Sequence, residues 1–506
     1  MTESNYKGHL ISRRSFIKSS AIAAAATGLT VTGCASSPEG KTATTVKKKI
    51  TSDKPNILII TCDQLSFDAI SANGNSDVRT PGMDRIFNSG TSFDNTYCQF
   101  PLCSPSRASF WTGRLPHQTR VMANDAKMIH NRTVTIGSLF SEAGYETKHF
   151  GKTHDFGSLR GFDVARDNIE HKADAPEAFP EHYQSKRDRV TLELATRYLQ
   201  QEHETPFLLA VEFYNPHNIN NWIGAFKDRF DNMPDMGNLP ALRANHNNKD
   251  MVNRPNAIKH ACCTTTRQRQ AAHWSEQNFR QYLKAYYYYT EMADDCVGKV
   301  LDALEQSDAA DNTLIIFMSD HGDGMGSHNL VAKSHFFYDE TTRVPFVMSG
   351  PGIAKGKNVT SLTGLCDLLP TLCEYVGIQY PENIYGRSLQ PLLNDTQEPK
   401  DWRKSIVSQW YSMEGHSIQP ARMIRTRNFK YTHFIEDNGE ELYDMINDSG
   451  ETRNLVSDPV YKETLASMRK TFADYLDDTG DDYLSMHAIP GENTRNHNIG
   501  YSSHPK

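Results

Sequence analysis

The sequence predicts an α/β protein with a large mixed, mostly parallel sheet covered by helices on both faces, and a smaller C-terminal α+β domain with an antiparallel sheet. Strand-like runs alternate with helix-like segments from residue 56 to about residue 375, which is the pattern of a predominantly parallel sheet. After a linker rich in Pro, Asn and Asp, short strand-like runs follow over 405–444 and an amphipathic helix over 459–476. A chain of 506 residues is long enough for two such domains.

Short apolar runs predict the buried strands of the large sheet. Each run is rich in β-branched or aromatic residues and is bounded by polar or turn-forming residues. These runs are 56–62, 145–150, 206–213 and 313–318.

Three segments predict helices that matter for the site or for the core. The segment 103–113 has Pro105 near its first turn and Gly113 at its end, which are favoured positions for these residues. A long helix is expected over 279–304, and the helix that closes the large domain is expected over 367–375.

Composition limits the class of protein. The formal net charge of −7 excludes a generally basic nucleic-acid binder. The hydrophobic content of 38% is typical of a soluble enzyme, and after the first forty residues no apolar stretch approaches the length of a membrane span. We therefore expect no nucleic-acid partner, and contact with a membrane only through a lipid anchor.

The N-terminus resembles an export signal. Residues 12–18, with the pair Arg13-Arg14, resemble a twin-arginine signal, and Val-Thr-Gly-Cys at 31–34 resembles a lipobox in which Cys34 is lipidated. A plain cleaved signal ending near Ala35 is the alternative. The expected location is the periplasm or cell surface, reached through the twin-arginine translocase. The predicted division of the chain is a signal peptide at 1–34, a tether at 35–53, a large catalytic domain at 54–385, a smaller subdomain at 386–485 and a polar tail at 486–506.

Polar side chains follow two of the predicted strands. Asp63 and Gln64 come directly after the first strand, and Asp320 and His321 come shortly after the 313–318 run. Open α/β sheets bind ligands at the carboxyl ends of their strands. Two carboxylates, an amide oxygen and an imidazole suit a hard divalent cation, and calcium fits best. A capped turn at each strand end is the alternative.

The segment Cys103-Ser104-Pro105-Ser106-Arg107, continued through Gly113 and Arg114, resembles the signature at which type I sulfatases, members of the alkaline phosphatase superfamily, convert a cysteine into formylglycine. The resemblance implies an alkaline-phosphatase-like α/β/α sandwich, a formylglycine formed from Cys103 by a maturase, and covalent catalysis by the hydrated aldehyde. The alternative is an ordinary thiol, bridged to Cys98, with Pro105 merely beginning a helix.

The same resemblance implies roles for other residues. The metal, expected to be one calcium ion, is held by Asp63, Gln64, Asp320, His321 and the group formed from Cys103. Gln64 stands where a second Asp is commoner in the family, and it leaves the site one negative charge poorer. The expected catalytic groups are Arg107, which orients the nucleophile; Lys152, which holds charge on the transferring group; His154, which acts as a base; and His217 and Lys333, which assist the leaving group.

Cysteine usage does not predict a disulfide framework. Nine cysteines, less Cys34 and Cys103, leave seven, which cannot all pair. No CxxC pair suggests zinc, and most of the seven are expected to be buried small apolar residues.

The segment 218–275 is polar, poor in regular pattern and rich in basic residues, so it is a candidate for binding the flanking sulfates of a polysaccharide. Trp222 would stack on a sugar face. A solvated surface loop is an equally good interpretation. The basic residues of the segment include Arg243, His246, Lys249, Arg254, Lys259, His260, Arg267 and Arg269.

The sequence therefore predicts an exported sulfatase that hydrolyses O-sulfate esters of a sulfated polysaccharide or oligosaccharide. The alternatives are a formylglycine-dependent phosphonate or phosphate ester hydrolase, and a lipoprotein that binds sulfated glycans without cleaving them. The expected partners are the sulfated carbohydrate, the maturase and the translocase.

Overall fold

The computed structural model describes residues 54–165, 185–226, 230, 235–246, 253–259, 266–394, 398–412 and 418–487. All of them belong to one compact unit of the chain. The predicted signal peptide and tether lie outside the described residues, as do positions 488–506 of the predicted tail. Among the described helices, none combines the length and the apolar character needed to cross a bilayer.

The large sheet has eight strands in the order β4-β3-β5-β1-β6-β7-β2-β8. Five of the seven neighbouring pairs are parallel, and β7 runs antiparallel to both of its neighbours. The mixed, mostly parallel sheet is therefore confirmed. The strands are β1 Asn56–Cys62, β2 Thr91–Tyr97, β3 Glu146–Gly151, β4 Asp163–Val164, β5 Phe207–Phe213, β6 Thr313–Ser319, β7 Phe346–Ser349 and β8 Lys357–Gly364.

Helices cover both faces of this sheet. The long helix predicted over 279–304 is confirmed and is slightly longer, since Ser275 caps its N-terminus through a hydrogen bond from the Asn278 N–H. The described α-helices are α1 Pro81–Ser89, α2 Cys103–Thr112, α3 Pro116–Thr119, α4 Ile136–Glu142, α5 Lys186–Leu199, α6 Ile219–Phe226, α7 Thr266–Ala271, α8 Glu276–Glu305, α9 Asp339–Thr342, α10 Leu368–Val376, α11 Gln390–Asn394 and α12 Lys462–Thr479.

The central strand β1 contributes to the apolar core on both sides. Leu58 and Ile60 pack on the face covered by α1, α5 and α8, while Ile57 and Ile59 pack on the face covered by α2, α4 and α10. All four side chains are fully buried. Because successive side chains of a strand point to opposite faces, a continuous apolar run is what a strand buried on both faces requires.

A second, four-stranded antiparallel sheet has the order β12-β11-β10-β9. It shares a core with the edge of the large sheet, where the rings of Phe100 and Trp410 lie 4.9 Å apart. Helix α12 packs on its other side through Phe472, whose ring lies 5.8 Å from that of Tyr431. These strands are β9 Ser405–Ser412, β10 Ile418–Thr426, β11 Phe429–Phe434 and β12 Gly439–Asp444.

The segment 218–275 differs from its prediction. It contributes α6 and α7 to the fold, and Trp222 is only 1% exposed. The Trp222 ring lies 6.3 Å from Trp274 and 6.4 Å from Tyr282 of helix α8. The prediction that Trp222 stacks on a sugar was therefore wrong, because the indole is part of the apolar core.

Candidate active site

Cys103 lies at the N-terminus of α2, in the middle of the molecule. The preceding residue, Leu102, is extended, and Gly113 ends the helix in the left-handed conformation with φ 68°. All ten residues of α2 are buried. The predicted helix boundaries are confirmed, and the positive end of the helix dipole lies at Cys103, where it favours an anion.

Positively charged and polar groups converge on the Cys103 sulfur. The ammonium nitrogens of Lys333 and Lys152 lie 3.1 Å and 3.5 Å from Sγ. Although burial raises the pKa of the thiol, the charges of Lys152 and Lys333 together with His321 bring it well below its ordinary value. The pocket is therefore arranged to stabilise negative charge at this position.

Four side chains at the carboxyl edge of the sheet form a candidate metal centre. One ligand atom from each of Asp63, Cys103, Asp320 and His321 lies within 4.8 Å of all the others, and all four residues are buried. His321 Nδ1 lies 2.9 Å from the Gly322 carbonyl oxygen, so Nδ1 carries the proton and Nε2 presents its lone pair to the cluster. Two carboxylates and an imidazole converging in this way fit a divalent cation.

Arg107 holds the two metal-site carboxylates in place. Its Nε donates to Asp320 Oδ2 at 3.1 Å and its Nη2 donates to Asp63 Oδ2 at 3.2 Å. Its third nitrogen contacts the carboxylate of Glu212, which in turn lies 3.3 Å from His149 Nε2. Glu212 and His149 are not among the residues predicted from the sequence, although a glutamate within the apolar run of β5 is a usable signal that the strand has a polar partner.

Lys152 and two histidines complete the surroundings of the sulfur. Lys152 forms an ion pair with Asp63, and His154 and His217 both reach the Cys103 sulfur with their side chains. Burial lowers the pKa of His217 to about 3, and the charges of Lys152 and Lys333 act in the same direction. His217 is therefore a neutral imidazole at neutral pH.

Gln64 lies beside the centre with both the oxygen and the nitrogen of its side-chain amide hydrogen-bonded. Its Oε1 accepts hydrogen bonds from Lys333 Nζ at 2.7 Å and from Asn220 Nδ2 at 2.8 Å. Its Nε2 donates to Asp323 Oδ2 at 2.6 Å. Burial raises the pKa of Asp323, against the donors that surround it. Asn220 and Asp323 are not among the residues predicted from the sequence. The signal for Asp323 is that it follows His321 by two residues.

The structure brings all ten sequence-predicted site residues to one place. The alternative in which Cys103 is bridged to Cys98 is wrong, since the six cysteines among the described residues are all free and buried. The other three cysteines of the sequence, at positions 34, 262 and 263, lie outside the described residues. The ten residues are Asp63, Gln64, Cys103, Arg107, Lys152, His154, His217, Asp320, His321 and Lys333.

Two arginines of the segment 218–275, predicted to bind flanking sulfates, contact carboxylates of the same chain. Arg254 is 2% exposed and binds Glu441 and the hydroxyl of Tyr338 at 3.1 Å and 2.6 Å. Arg243 donates to Asp68 at 2.6 Å and also lies 3.4 Å from Glu340. The prediction that Arg254 binds a flanking sulfate was wrong, because its guanidinium is buried against Glu441 and Tyr338 of the same chain. Arg243 remains partly exposed, and a contact of its guanidinium with sulfate stays a prediction.

An α/β sandwich that places a cysteine at a helix N-terminus, two lysines around its sulfur and a carboxylate-histidine cluster beside it fits a hydrolase of anionic esters, sulfuric esters among them. The family model described as Sulfatase matches residues 55–378, and the one described as N-sulphoglucosamine sulphohydrolase, C-terminal, matches residues 326–478. The chain belongs to the sulfatase family. The resemblance seen in the sequence, and with it the alkaline-phosphatase-like fold, is confirmed.

Individual relatives agree with this assignment. The chain is 42% identical over 461 residues to a Delta 4,5-hexuronate-2-O-sulfatase of Bacteroides thetaiotaomicron, covering 89% of this chain and 95% of that protein. It is 30% identical to a choline-sulfatase of Rhizobium meliloti, covering 85% and 88% of the two chains. The solved structure of a 2-O GAG sulfatase superposes with a TM-score of 0.82 at 42% identity, covering 90% of this chain and 98% of that one.

A phosphonate monoester hydrolase of Agrobacterium radiobacter has the same fold. Its solved structure superposes with a TM-score of 0.68 at 24% identity, covering 85% of this chain and 96% of that one. At this level of identity the likeness concerns the fold alone.

Proposed function

We propose that this sulfatase hydrolyses O-sulfate esters of a sulfated oligosaccharide or polysaccharide, with a nucleophile formed from Cys103 and with calcium bound beside it. The observation that carries the proposal is the convergence of Lys152 and Lys333 on the Cys103 sulfur, next to the buried Asp63, Asp320 and His321 cluster. Buried cations around a nucleophile are what a transferring sulfate group, with its charge on oxygen, requires.

In this proposal the maturation of Cys103 to formylglycine supplies, on hydration, the oxygen nucleophile. Lys152 and Lys333 bind the sulfate oxygens from the positions they hold around the sulfur. Arg107 keeps the Asp63 and Asp320 carboxylates facing the centre. The helix N-terminus adds a fixed positive potential at the same point.

His217 and His154 are the proposed proton-transfer groups. His217 is neutral before substrate binds, because burial holds its pKa at about 3. The neutral imidazole can therefore accept the proton that the attacking hydroxyl of the hydrate loses and, with Lys333, pass it to the departing sugar oxygen. His154 is the proposed base that removes the proton of the remaining hydroxyl, so that the carbon–oxygen bond to sulfate breaks, sulfate leaves and the aldehyde re-forms.

The metal proposal follows from the donor set. The ligands would be Asp63, Asp320, His321, the Gln64 amide oxygen and the group formed from Cys103, and oxygen donors predominate among them, as calcium prefers. A bound divalent cation would add positive charge next to the sulfate. We expect chelation to inactivate the enzyme, and added calcium to restore turnover better than zinc. Full turnover by a demetallated sample, verified by elemental analysis, would remove the metal from the mechanism.

The proposed substrate is a carbohydrate O-sulfate, and the first one to test is a 2-O-sulfated hexuronate. The support is the 42% identity to a Delta 4,5-hexuronate-2-O-sulfatase and the matching structure of a 2-O GAG sulfatase. A phosphonate or phosphate ester is the second candidate, since Gln64 follows the first metal-site aspartate where a second carboxylate is commoner in sulfatases.

Export, anchoring and maturation remain proposals based on the sequence. The Arg13-Arg14 pair supports twin-arginine export, and the position of Cys34 supports a lipid anchor at the periplasmic or cell-surface membrane. Because that pathway carries folded protein, a cytoplasmic maturase would act on Cys103 before export.

The deciding experiment combines mass and turnover. After coexpression with a maturase, the peptide containing Cys103 should lose roughly eighteen mass units, a change in covalent chemistry. The modified enzyme should release sulfate from an unsaturated 2-O-sulfated hexuronate disaccharide. At matched pH it should act far more slowly on an aryl phosphodiester and an aryl phosphonate. Faster turnover of either phosphorus ester would favour the second candidate, and an unmodified but active Cys103 would exclude the formylglycine nucleophile.

A further inference from the structure

We propose that Asp323 is a positioning residue, whose carboxylate fixes the side-chain amide of Gln64 so that the amide oxygen is presented to Lys333, beside the candidate metal centre. Asp323 is not among the predicted ligands or catalytic groups. The inference rests on the proposed function for the calcium ion, and it adds a residue that acts on that ion through another side chain.

The contacts of the amide allow one orientation. Gln64 Nε2 donates to Asp323 Oδ2 at 2.6 Å, while Oε1 accepts from Lys333 Nζ at 2.7 Å. An ammonium group only donates hydrogen bonds and a carboxylate only accepts them. A flipped amide would set its NH2 group against Lys333 and its oxygen against Asp323, and both hydrogen bonds would be lost in a buried site.

Asp323 is itself held from two sides. Its Oδ1 accepts from the hydroxyl of Tyr282 and, at 2.9 Å, from the backbone N–H of Met325. The Tyr282 oxygen also accepts from the Ala332 N–H at 3.2 Å, next to Lys333. Asp323 is fully buried, so its carboxylate cannot turn to water when Gln64 moves. Helix α8 thus acts on the orientation of the Gln64 amide through Tyr282 and Asp323.

The backbone of Gln64 is held by the same helix. Gln64 has φ 67°, a left-handed conformation that a residue with a side chain rarely adopts. The hydroxyl of Tyr286, one turn after Tyr282, donates to the Gln64 carbonyl oxygen at 2.7 Å, and the Gln64 N–H donates to Asp320 Oδ1 at 3.1 Å. Main chain and side chain are thus fixed separately, which is what a pre-organised ligand requires.

The test is Asp323→Asn in two backgrounds, wild type and Gln64→Glu. A carboxylate at position 64 has two equivalent oxygens, so it needs no orienting partner. In the wild-type background we expect the calcium dissociation constant, measured by titration calorimetry, to rise about 10- to 100-fold, with a parallel loss in kcat/KM. In the Gln64→Glu background we expect Asp323→Asn to change the calcium dissociation constant less than about threefold. No orientation is lost there, and the substitution removes a negative charge that would lie against the carboxylate at position 64.

A structural role for Asp323 would give equal losses in the two backgrounds, and that result, or an unchanged affinity in the wild-type background, would overturn the proposal. Should Asp323→Asn fail to fold, Tyr282→Phe tests the same link. It should weaken calcium binding several-fold with Gln64 present and leave it unchanged in the Gln64→Glu background; equal changes would again overturn the proposal.

The outcomes separate this inference from the proposed function. A wild type that hydrolyses sulfate esters but binds no calcium would overturn the positioning role and leave the sulfatase function standing. A wild type that binds calcium but turns over no sulfate ester would contradict the proposed function, while the comparison of dissociation constants would still decide the role of Asp323.

Discussion

Two regions of the molecule bury positive charge, and they use it in different ways. In the active site, Lys152 and Lys333 direct their ammonium groups at the Cys103 sulfur. The second region lies between the large sheet and the four-stranded sheet, and we call it the joint. It contains Arg254 and Lys430, which are enclosed by acidic and phenolic groups of the same chain.

The difference lies in what the donors converge on. Lys430 lies 2.6 Å from Asp339 and 2.9 Å from Glu451, so its charge is balanced by carboxylates on both sides. Burial lowers the pKa of Lys430, but these carboxylates outweigh it and raise that pKa above its ordinary value. In the active site Lys152 also pairs with the Asp63 carboxylate, but both lysines in addition meet at one reactive atom, the Cys103 sulfur. A buried cation therefore indicates substrate binding only where its N–H donors also point at a reactive atom.

The largest effect that separates the two regions is expected from Cys103→Ala. We expect kcat/KM to fall by about four orders of magnitude or more, equivalent to at least about 5 kcal/mol of transition-state stabilisation. The melting temperature should stay close to that of the wild type. Cys98→Ala is the matched control, because Cys98 is also buried and free and lies five residues earlier, yet its thiol donates to the Thr341 carbonyl oxygen. A comparable loss in both variants would remove the nucleophile from Cys103.

The second effect concerns Lys333, and its counterpart at the joint is Lys430. Lys333→Met should reduce kcat by about 100- to 1000-fold, the usual consequence of removing a charge-stabilising donor. Lys430→Met should instead lower the free energy of unfolding and spare the kcat of the folded fraction. Initial rates normalised to folded protein measure the first quantity, and denaturant titration measures the second. Equal kcat losses in the two variants would mean that the joint also shapes the site.

Much of this site could be predicted because its residues lie at strand and helix ends that the sequence marks clearly. Asp63 and Asp320 each follow an apolar run, and Cys103 lies in a motif with Pro105 and Gly113 at favoured positions. The parallel sheet then brings these ends to one edge. Such local signals survive in a single sequence.

The residues that were missed or misjudged depend on contacts distant in sequence. Glu212 is recognisable as a partner of Arg107 only after β5 and α2 are packed together. Trp222 and Arg254 lie in a polar segment, so their sequence context suggests exposure. Their burial is decided by helix α8 for Trp222 and by β12 for Arg254. A count of basic residues carries no information on which carboxylates will enclose them.

The third prediction tests the joint directly. Arg254→Met should lower the free energy of unfolding by about 3–5 kcal/mol, because it leaves the buried Glu441 without its cationic partner. The kcat/KM of the folded fraction should be the same on an aryl sulfate and on a sulfated oligosaccharide as in the wild type. A selective loss on the oligosaccharide, with stability unchanged, would restore Arg254 as a substrate contact.

The smallest effect is expected from Lys259, an exposed residue through which the segment 218–275 could still bind sulfate. Lys259 is exposed, unlike the buried Arg254 five residues earlier. An exposed ammonium group is screened over about 10 Å at 0.1 M salt, and a surface substitution away from special contacts usually changes stability by less than about 0.5 kcal/mol. We therefore expect Lys259→Ala to leave unfolding unchanged and to lower kcat/KM on a sulfated oligosaccharide by no more than about twofold, with the effect vanishing as salt rises. Measured beside Arg254→Met over a salt series, a much larger loss confined to the oligosaccharide would show that this segment attracts substrate through its exposed residues, and not through the buried Arg254.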